Sequence, residues 1–281
     1  MLASALLKAY PVGGTGPVLP SWSLPSGSQL YPMRQGLLYS LPYNKIFWVS
    51  RNGSNWSFFN VLPTGANGTV PSPFPLLPSA TGTSFALNSV VLNQDSTVAY
   101  SLYDTNLGSG VKSYLYSATS SGGSVLYGDN TLSMRGMVMD PTNSFLYITE
   151  QTGNAIVKVT TGGSLSSFVT VSSPNGLAID GVGNLYVGLN GSYVSRVTPS
   201  GTVTAYSLAT FTTPSALAYD VVTAMLAVGD SATGTVYGVS PSGSTVPLAT
   251  GIGSIAGILA VGGRFYIYDA VGGIRSIVTT S

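Results

Sequence analysis

The sequence predicts an all-β fold, a six-bladed propeller of four-stranded blades about 40 residues long, and three observations predict it. The chain repeats itself at a 40-residue interval, and each repeat alternates short apolar runs with turn residues. Gly, Ser and Thr fill more than a third of the 281 positions. Four short strands per unit with regular turn punctuation is the signature of a propeller blade.

The repeat is clearest from residue 133 onward. SMRGMVMDPTNSFLYITE opens one unit and SPNGLAIDGVGNLYVGLN the next, followed by TPSALAYDVVTAMLAVGD and GSIAGILAVGGRFYIYDA. Asp140, Asp180, Asp220 and Ala260 are the equivalent positions, each 40 residues apart. Two looser copies lie upstream, ALNSVVLNQDSTVAYSLYD centred on Asn93 and PMRQGLLYSLPYNKIFWVSR on Ser40. They bring the count to six units, with spacings of 47 and 53 that place the extra residues in loops.

Within the best unit, the apolar run 176–180 reads as an inner strand buried on both faces. A turn of the Asp-X-X-Gly-Asn type follows, then the aromatic and β-branched run 185–187. A third strand at 193–198 ends in Pro199-Ser200-Gly201, and a fourth spans 202–208. The last unit stops after its third strand at 273–278. Closure of the ring then falls to an N-terminal strand, at 5–10 or 18–24, which covers the open sheet edge. A short helix over 2–9 is the other reading of that Ala/Leu-rich stretch. The chain thus divides into an arm or closing strand at 1–28 and a single propeller at 29–281, with a Pro-rich insertion at 62–84.

Charged residues make up only 7% of the chain, against about a quarter in an average domain. Having neither His nor Cys, the chain cannot build a disulfide, a Cys/His zinc site, a Ser-His-Asp triad or a Cys-His pair. A net charge of +1 leaves no electrostatic footprint for nucleic acid. No apolar run approaches the roughly 18–20 residues of a membrane span. The N-terminal MLASALLKAYP has Lys8 after its apolar patch and no charge before it, so it is no clear signal peptide.

Two registers of polar residues stand out. Asp140, Asp180 and Asp220 sit where the first strand turns into the second and read as residues that bond their own turn backbone. Asp104, Glu150, Asn190, Asp230 and Asp269 follow the second strand, on the face that also carries the blade-to-blade loops. Five such groups around one rim form a candidate site for a ligand or a cation. Arg135 immediately precedes an inner strand, toward the channel mouth. Trp56, in the polar loop 51–57, is the aromatic expected to be exposed for sugar or protein binding.

The motif Pro174-Asn175-Gly176-Leu177-Ala178-Ile179-Asp180, followed by Gly183-Asn184-Leu185-Tyr186-Val187, resembles those of NHL-type and regucalcin/gluconolactonase-like propellers, as a repeat pattern over residues 85–281. For the lactonases this resemblance implies a divalent ion such as Ca²⁺ on the channel axis, held by a Glu, by Asn residues and by an Asp. Asn175 matches one of the Asn positions, Ser215 stands where the Asp is expected, and Arg34 and Gln35 lie near the place of the Glu. Streptogramin lyases of similar build use His, which this chain lacks. The low charge and abundant hydroxyls resemble virion, tail and surface-layer β proteins in composition. The function expected is therefore a non-catalytic propeller without a cofactor, located in a virion or at an extracellular or cell surface. Its partners would be other proteins of an assembly or surface glycans. The alternative is a Ca²⁺-dependent lactonase or hydrolase of the regucalcin type, with Asn175 as a metal ligand.

Overall fold

The structure is a computed structural model that describes residues 28–29, 37–40, 45–52, 55–61, 67–68, 84–106, 111–129, 131–253, 255–269 and 273–278. The first unit contributes β1 (Ser28–Gln29), β2 (Leu37–Ser40), β3 (Lys45–Asn52), β4 (Asn55–Val61) and β5 (Asn67–Gly68). The second holds β6 (Ser84–Leu92), β7 (Ala99–Asn106), β8 (Val111–Thr119) and β9 (Gly122–Asp129). The third holds β10 (Met134–Met139), β11 (Phe145–Glu150), β12 (Ala155–Thr160) and β13 (Leu165–Thr170). The fourth holds β14 (Pro174–Ile179), β15 (Leu185–Leu189), β16 (Val194–Val197) and β17 (Val203–Ala205). The fifth holds β18 (Pro214–Asp220), β19 (Met225–Asp230), β20 (Thr235–Val239) and β21 (Thr245–Ala249). The last has β22 (Ile255–Val261), β23 (Arg264–Asp269) and β24 (Gly273–Val278).

From β6 onward each unit is one antiparallel sheet whose strands pair in chain order, as in a propeller blade. The innermost strands pack side by side, β6 on β10, β10 on β14, β14 on β18 and β18 on β22, and β2 lies against both β22 and β6. The expected count of six blades is corrected at the start of the chain, while the last unit stops after its third strand as the sequence indicated. Regular blades number five among the described residues: four complete ones and a three-stranded last one. The first unit instead makes an irregular sheet, in which β1 and β2 both pair with β3 and β5 is two residues long. The proposed closing strand at 5–10 or 18–24 and the alternative helix at 2–9 lie outside the described residues. So does most of the 62–84 insertion, although Asn67 and Gly68 pair with β4.

A second correction concerns phase. Ala260 is not the register equivalent of Asp220. Counted from the irregularity in each inner strand, Ala216 corresponds to Gly257, so Val261 takes the place of Asp220. The β22–β23 turn is correspondingly shorter: Val261 pairs with Arg264, where Asp220 pairs with Met225.

The core lies between blades. Leu102 and Leu115 of the second unit meet Met134, Met137, Leu146 and Ile148 of the third. Val138, Tyr147 and Ile156 then meet Leu177 and Val187 of the fourth, and Ala178 and Tyr186 meet Leu217 and Val228 of the fifth. Ala216, Ala227 and Val236 meet Ile258 and Phe265 of the last. A blade's second strand is flanked by strands within its sheet and by blades on both faces, so β15 and β19 are buried almost throughout while β17 is exposed. Tyr186 closes one such seam, stacked on Tyr219 at 4.9 Å and edge-on to Tyr206 at 4.7 Å. Its hydroxyl donates to Asp180 Oδ2 at 3.2 Å.

The Asp turns behave as expected. Asp180 Oδ1 accepts the Val182 and Asn184 amides, and Asp220 accepts from Thr223 and from Gly263 of the next blade. Asp140 accepts four bonds, from the Thr142 amide and hydroxyl and from the Ser144 and Phe145 amides. Burial by itself would raise the Asp140 carboxyl, but the bonds from Thr142, Phe145 and Ser144 outweigh it and hold it below the ordinary 3.8. A depressed carboxyl stabilises the fold above its unfolded pKa and loses that contribution as pH falls through its folded one.

The inner strands approach so closely that side chains are excluded. A Cβ on Gly176 would fall 2.6 Å from Leu217 Cδ1 and 2.7 Å from the Ser215 carbonyl oxygen, and backbone cannot yield cheaply. Gly176→Val is therefore expected to cost about 2–3 kcal/mol. Gly181→Ala, in a turn where a Cβ meets nothing within 4 Å, should change stability by less than about 0.5 kcal/mol. Urea titration of the two variants checks this, and equal effects would refute the close-packing argument. Asp140→Asn should cost about 1–3 kcal/mol at neutral pH, a difference that shrinks as pH falls below 3.8. Denaturant midpoints measured across acidic pH check the sign.

Candidate functional site at the axial mouth

Each of the five inner strands from β6 to β22 carries one extra residue near its start. The register slips between Leu87 and Ser89, Met134 and Met137, Pro174 and Leu177, Pro214 and Ala216, and Ile255 and Gly257. A bulge of this kind bends the strand and re-aims a side chain, and bulges recur beside active sites. The displaced residues are Asn88, Arg135, Asn175, Ser215 and Ala256, each followed by a small residue: Ser89, Gly136, Gly176, Ala216 and Gly257. Small residues are required there because the bulges touch one another around the axis. A Cβ on Gly136 would lie 2.8 Å from the Asn175 carbonyl oxygen, and Gly176 bears in the same way on Ser215. Arg135, Asn175 and Ser215 are thus consecutive members of one ring at one level.

The partners of Arg135 and Asn175 come from the ends of the second strands, and that of Asn88 from the next inner strand. Arg135 Nη1 pairs with Asp104 Oδ2 at 3.1 Å, and its Nε donates to Gln151 Oε1 at 3.2 Å. Ser113 Oγ donates to the other oxygen of Asp104 at 2.6 Å. Asn175 Nδ2 donates to Asn190 Oδ1 at 2.7 Å, and Asn88 Nδ2 to the Met134 carbonyl at 3.1 Å. Four buried side-chain groups lack a hydrogen-bond partner among the described residues, Thr105 Oγ1, the Tyr268 hydroxyl and two that belong to the bulge ring. Asn175 Oδ1 and Ser215 Oγ are buried with no hydrogen-bond partner among the described residues, on side chains 0% and 7% exposed. A buried polar group without a partner costs about 1–3 kcal/mol, so two adjacent ones at a bulge ring call for a ligand or water.

The five rim residues do not form one set. Glu150, Asp230 and Asp269 pair with the residue just before the bulge, whereas Asp104 and Asn190 stand one residue later. The split matches their bonding. Glu150 accepts the Ser133, Thr152 and Gly153 amides, and Asp230 those of Thr212, Thr213 and Ala232, so both carboxylates tie a blade-to-blade connection to a turn. Asp269 is equally buried. Asp104 and Asn190 instead meet the bulge side chains. Arg135 lies inside β10 rather than before it. Trp56, expected in a loop, lies in β4 opposite Arg51, since the aromatic run it opens favours a strand.

Asn88, Ser113 and Gln151 escaped the sequence reading. The signal that marks the ring was the polar-then-small pair at the head of each unit, Asn88-Ser89, Arg135-Gly136, Asn175-Gly176 and Ser215-Ala216.

The donor set tests the implied divalent ion. Ca²⁺ takes six to eight oxygens, several of them carboxylate. The mouth offers a neutral amide oxygen and a hydroxyl, with the guanidinium of Arg135 at the same level and Asp104 already paired to it. Among the described residues no three His, Cys, Asp or Glu come together as a metal cluster. The described residues do not fit a divalent cation. Nor is a phenolate available: burial, then Tyr114 and Tyr116, pushes Tyr103 up to about 12, and burial pushes Tyr268 higher still.

No protein-family model matches the chain, and no curated protein matches it. Solved structures do. A catalytically inactive virginiamycin B lyase from Staphylococcus aureus with quinupristin matches with TM-score 0.65 at 14% identity, over 92% of this chain and 98% of the lyase. A gluconolactonase from Xanthomonas campestris matches with TM-score 0.60 at 13% identity, over 89% of this chain and 88% of the other. A chain of a nidogen–laminin complex matches with TM-score 0.55 at 15% identity, over 75% and 78%. The likeness is one of fold. It places this chain among the propellers and leaves its chemistry to its own residues.

Ser215→Ala removes an unpartnered buried hydroxyl without opening a large cavity. It should raise the stability of the unliganded protein by about 1 kcal/mol in denaturant titration. A loss of stability would mean that the hydroxyl is already satisfied.

Proposed function

We propose that this chain is an enzymatic propeller that binds a small hydroxylated molecule at the axial mouth and hydrolyses a lactone. The observation that carries the reading is the pair of buried, unpartnered groups on adjacent bulges, Asn175 Oδ1 and Ser215 Oγ, in the same ring as Arg135. Fold likeness to a gluconolactonase and to a lyase supports it at the level of fold.

Hydrolysis adds water across the acyl–oxygen bond and leaves a free hydroxyl and a carboxylate. Negative charge develops on the carbonyl oxygen as water attacks, and a fixed donor there stabilises the transition state more than the ground state. Arg135 is the group suited to that role. Asp104 and Gln151 hold its guanidinium, so little reorganisation is needed when the charge appears. Asn175 and Ser215 would receive the substrate's hydroxyls. The regucalcin-type version of the reading relied on a divalent ion, which the donor set among the described residues does not fit.

An assembly role in a virion or at a surface rests on composition alone. Binding without catalysis is favoured by one observation: Glu150 and Asp230 each accept three backbone amides, which ties these two carboxylates to structure rather than to proton transfer at the mouth.

The purified chain should open a six-membered sugar lactone faster than the spontaneous rate, followed as acid release with a pH indicator. Arg135→Gln should lower kcat/KM by roughly 10²-fold, and excess EDTA should leave the rate unchanged. No turnover above the spontaneous rate overturns the catalytic reading in favour of binding alone. Abolition by EDTA overturns the metal-free form of it.

A further inference from the structure

We infer that the mouth recognises a hydroxycarboxylate, with the fixed guanidinium of Arg135 supplying the positive charge that a bound cation would supply in a lactonase of this build. This rests on the reading of the mouth as the working site, although not on turnover.

Three observations carry it. First, the unpartnered groups are of two kinds. Asn175 Oδ1 can only accept a hydrogen bond, and Ser215 Oγ can donate one, so the complementary molecule presents a hydroxyl to the first and an acceptor to the second. Second, Arg135 is not consumed by its partners. Its Nε and Nη1 are engaged by Gln151 and Asp104, while Nη2 makes no bond among the described residues and the side chain is 25% exposed. A carboxylate that accepts from both Nη2 and Ser215 gains charge-assisted bonds, which are shorter and stronger than neutral ones. Third, three of the carboxylates at the mouth are already engaged among the described residues. Asp104 is the carboxylate paired with Arg135, and Glu150 and Asp230 have their oxygens turned to backbone amides. A neutral polyol would satisfy Asn175 and Ser215 but would leave Nη2 unused. A divalent cation would meet a guanidinium and two neutral oxygens.

The probe pair is gluconate and glucitol, which share a hydroxylated six-carbon chain and differ in the carboxylate, with CaCl₂ as the third titrant. Calorimetric titration of the full chain should show gluconate binding about tenfold or more tighter than glucitol. Arg135→Gln should abolish that preference while retaining the circular dichroism of the parent. Ser215→Ala should weaken gluconate severalfold while raising the melting temperature of the unliganded protein, an opposition that a merely unfolded variant cannot produce. Equal binding of the two probes, a preference that survives in Arg135→Gln, or gluconate binding that requires Ca²⁺ would each overturn the inference. A gluconate preference without lactone turnover refutes the catalytic reading alone. Lactone turnover without a gluconate preference refutes this inference alone.

Discussion

The constraint on which the rest depends is the contact between neighbouring inner strands at the bulge. A ring of parallel-running inner strands can close on a narrow axis only if their backbones nearly touch, and the Cβ positions of Gly136 and Gly176 show that they do. Small residues at Ser89, Gly136, Gly176, Ala216 and Gly257 answer that requirement. The bulge then follows. One extra residue per inner strand lets the chain pass the tight level and turns the displaced side chain away from the interblade core. The polar ring Asn88, Arg135, Asn175 and Ser215 is therefore a by-product of closure that chemistry can use. In the last unit the same position is Ala256, which contributes nothing polar.

The scarcity of charge reads differently once the bonds are known. Eight of the nine acidic residues have a visible structural task. Asp95 and Asp129 bond Thr97 and Thr131 two residues on, Asp140, Asp180 and Asp220 cap the inner turns, and Glu150 and Asp230 cap the outer ones. Asp104 pairs with a basic side chain, Arg135. Polar work elsewhere falls to neutral hydroxyls, as where Thr149 Oγ1 takes the Gly136 amide and donates to the Asn175 carbonyl, joining two blades. A fold held in this way needs few surface ion pairs, which contribute little in water in any case.

How much of this was legible in the sequence depends on the scale of the feature. The 40-residue period and the Asp turns could be read directly, because a turn that bonds its own backbone is a local event. Phase could not. Ala260 matched Asp220 by counting, but the shorter turn before Arg264 moves the equivalent position to Val261. Asp104 and Asn190 were grouped with Glu150 and Asp230 for the same reason, and a slip of one residue separates groups that cap a turn from groups that meet the bulge. Register in a strand is set by pairing across the sheet, and a single inserted residue sends a side chain to the other face. The placement of Trp56 erred in the opposite direction, since polar neighbours suggested a loop where aromatic residues 56, 58 and 59 prefer a ladder.

The same distinction separates fold from chemistry at the mouth. Asn175 sits in a motif shared by many propellers, and its position alone says only that something polar faces the axis. What decides the chemistry is the company it keeps one blade to either side. With a carboxylate at position 215 and another in place of the guanidinium at 135, two anionic oxygens would join the free amide oxygen, and a hard cation would be the natural complement. With Ser215 and Arg135 the sign of the ring is reversed, and the complement becomes an acceptor that carries negative charge. The scaffold is indifferent to that choice, because the contacts that close the ring are made by backbone and by the small residues beside the bulge. A propeller can in this way exchange a bound cation for a covalently held one without disturbing its own packing, provided that an acid such as Asp104 is at hand to hold the guanidinium in place.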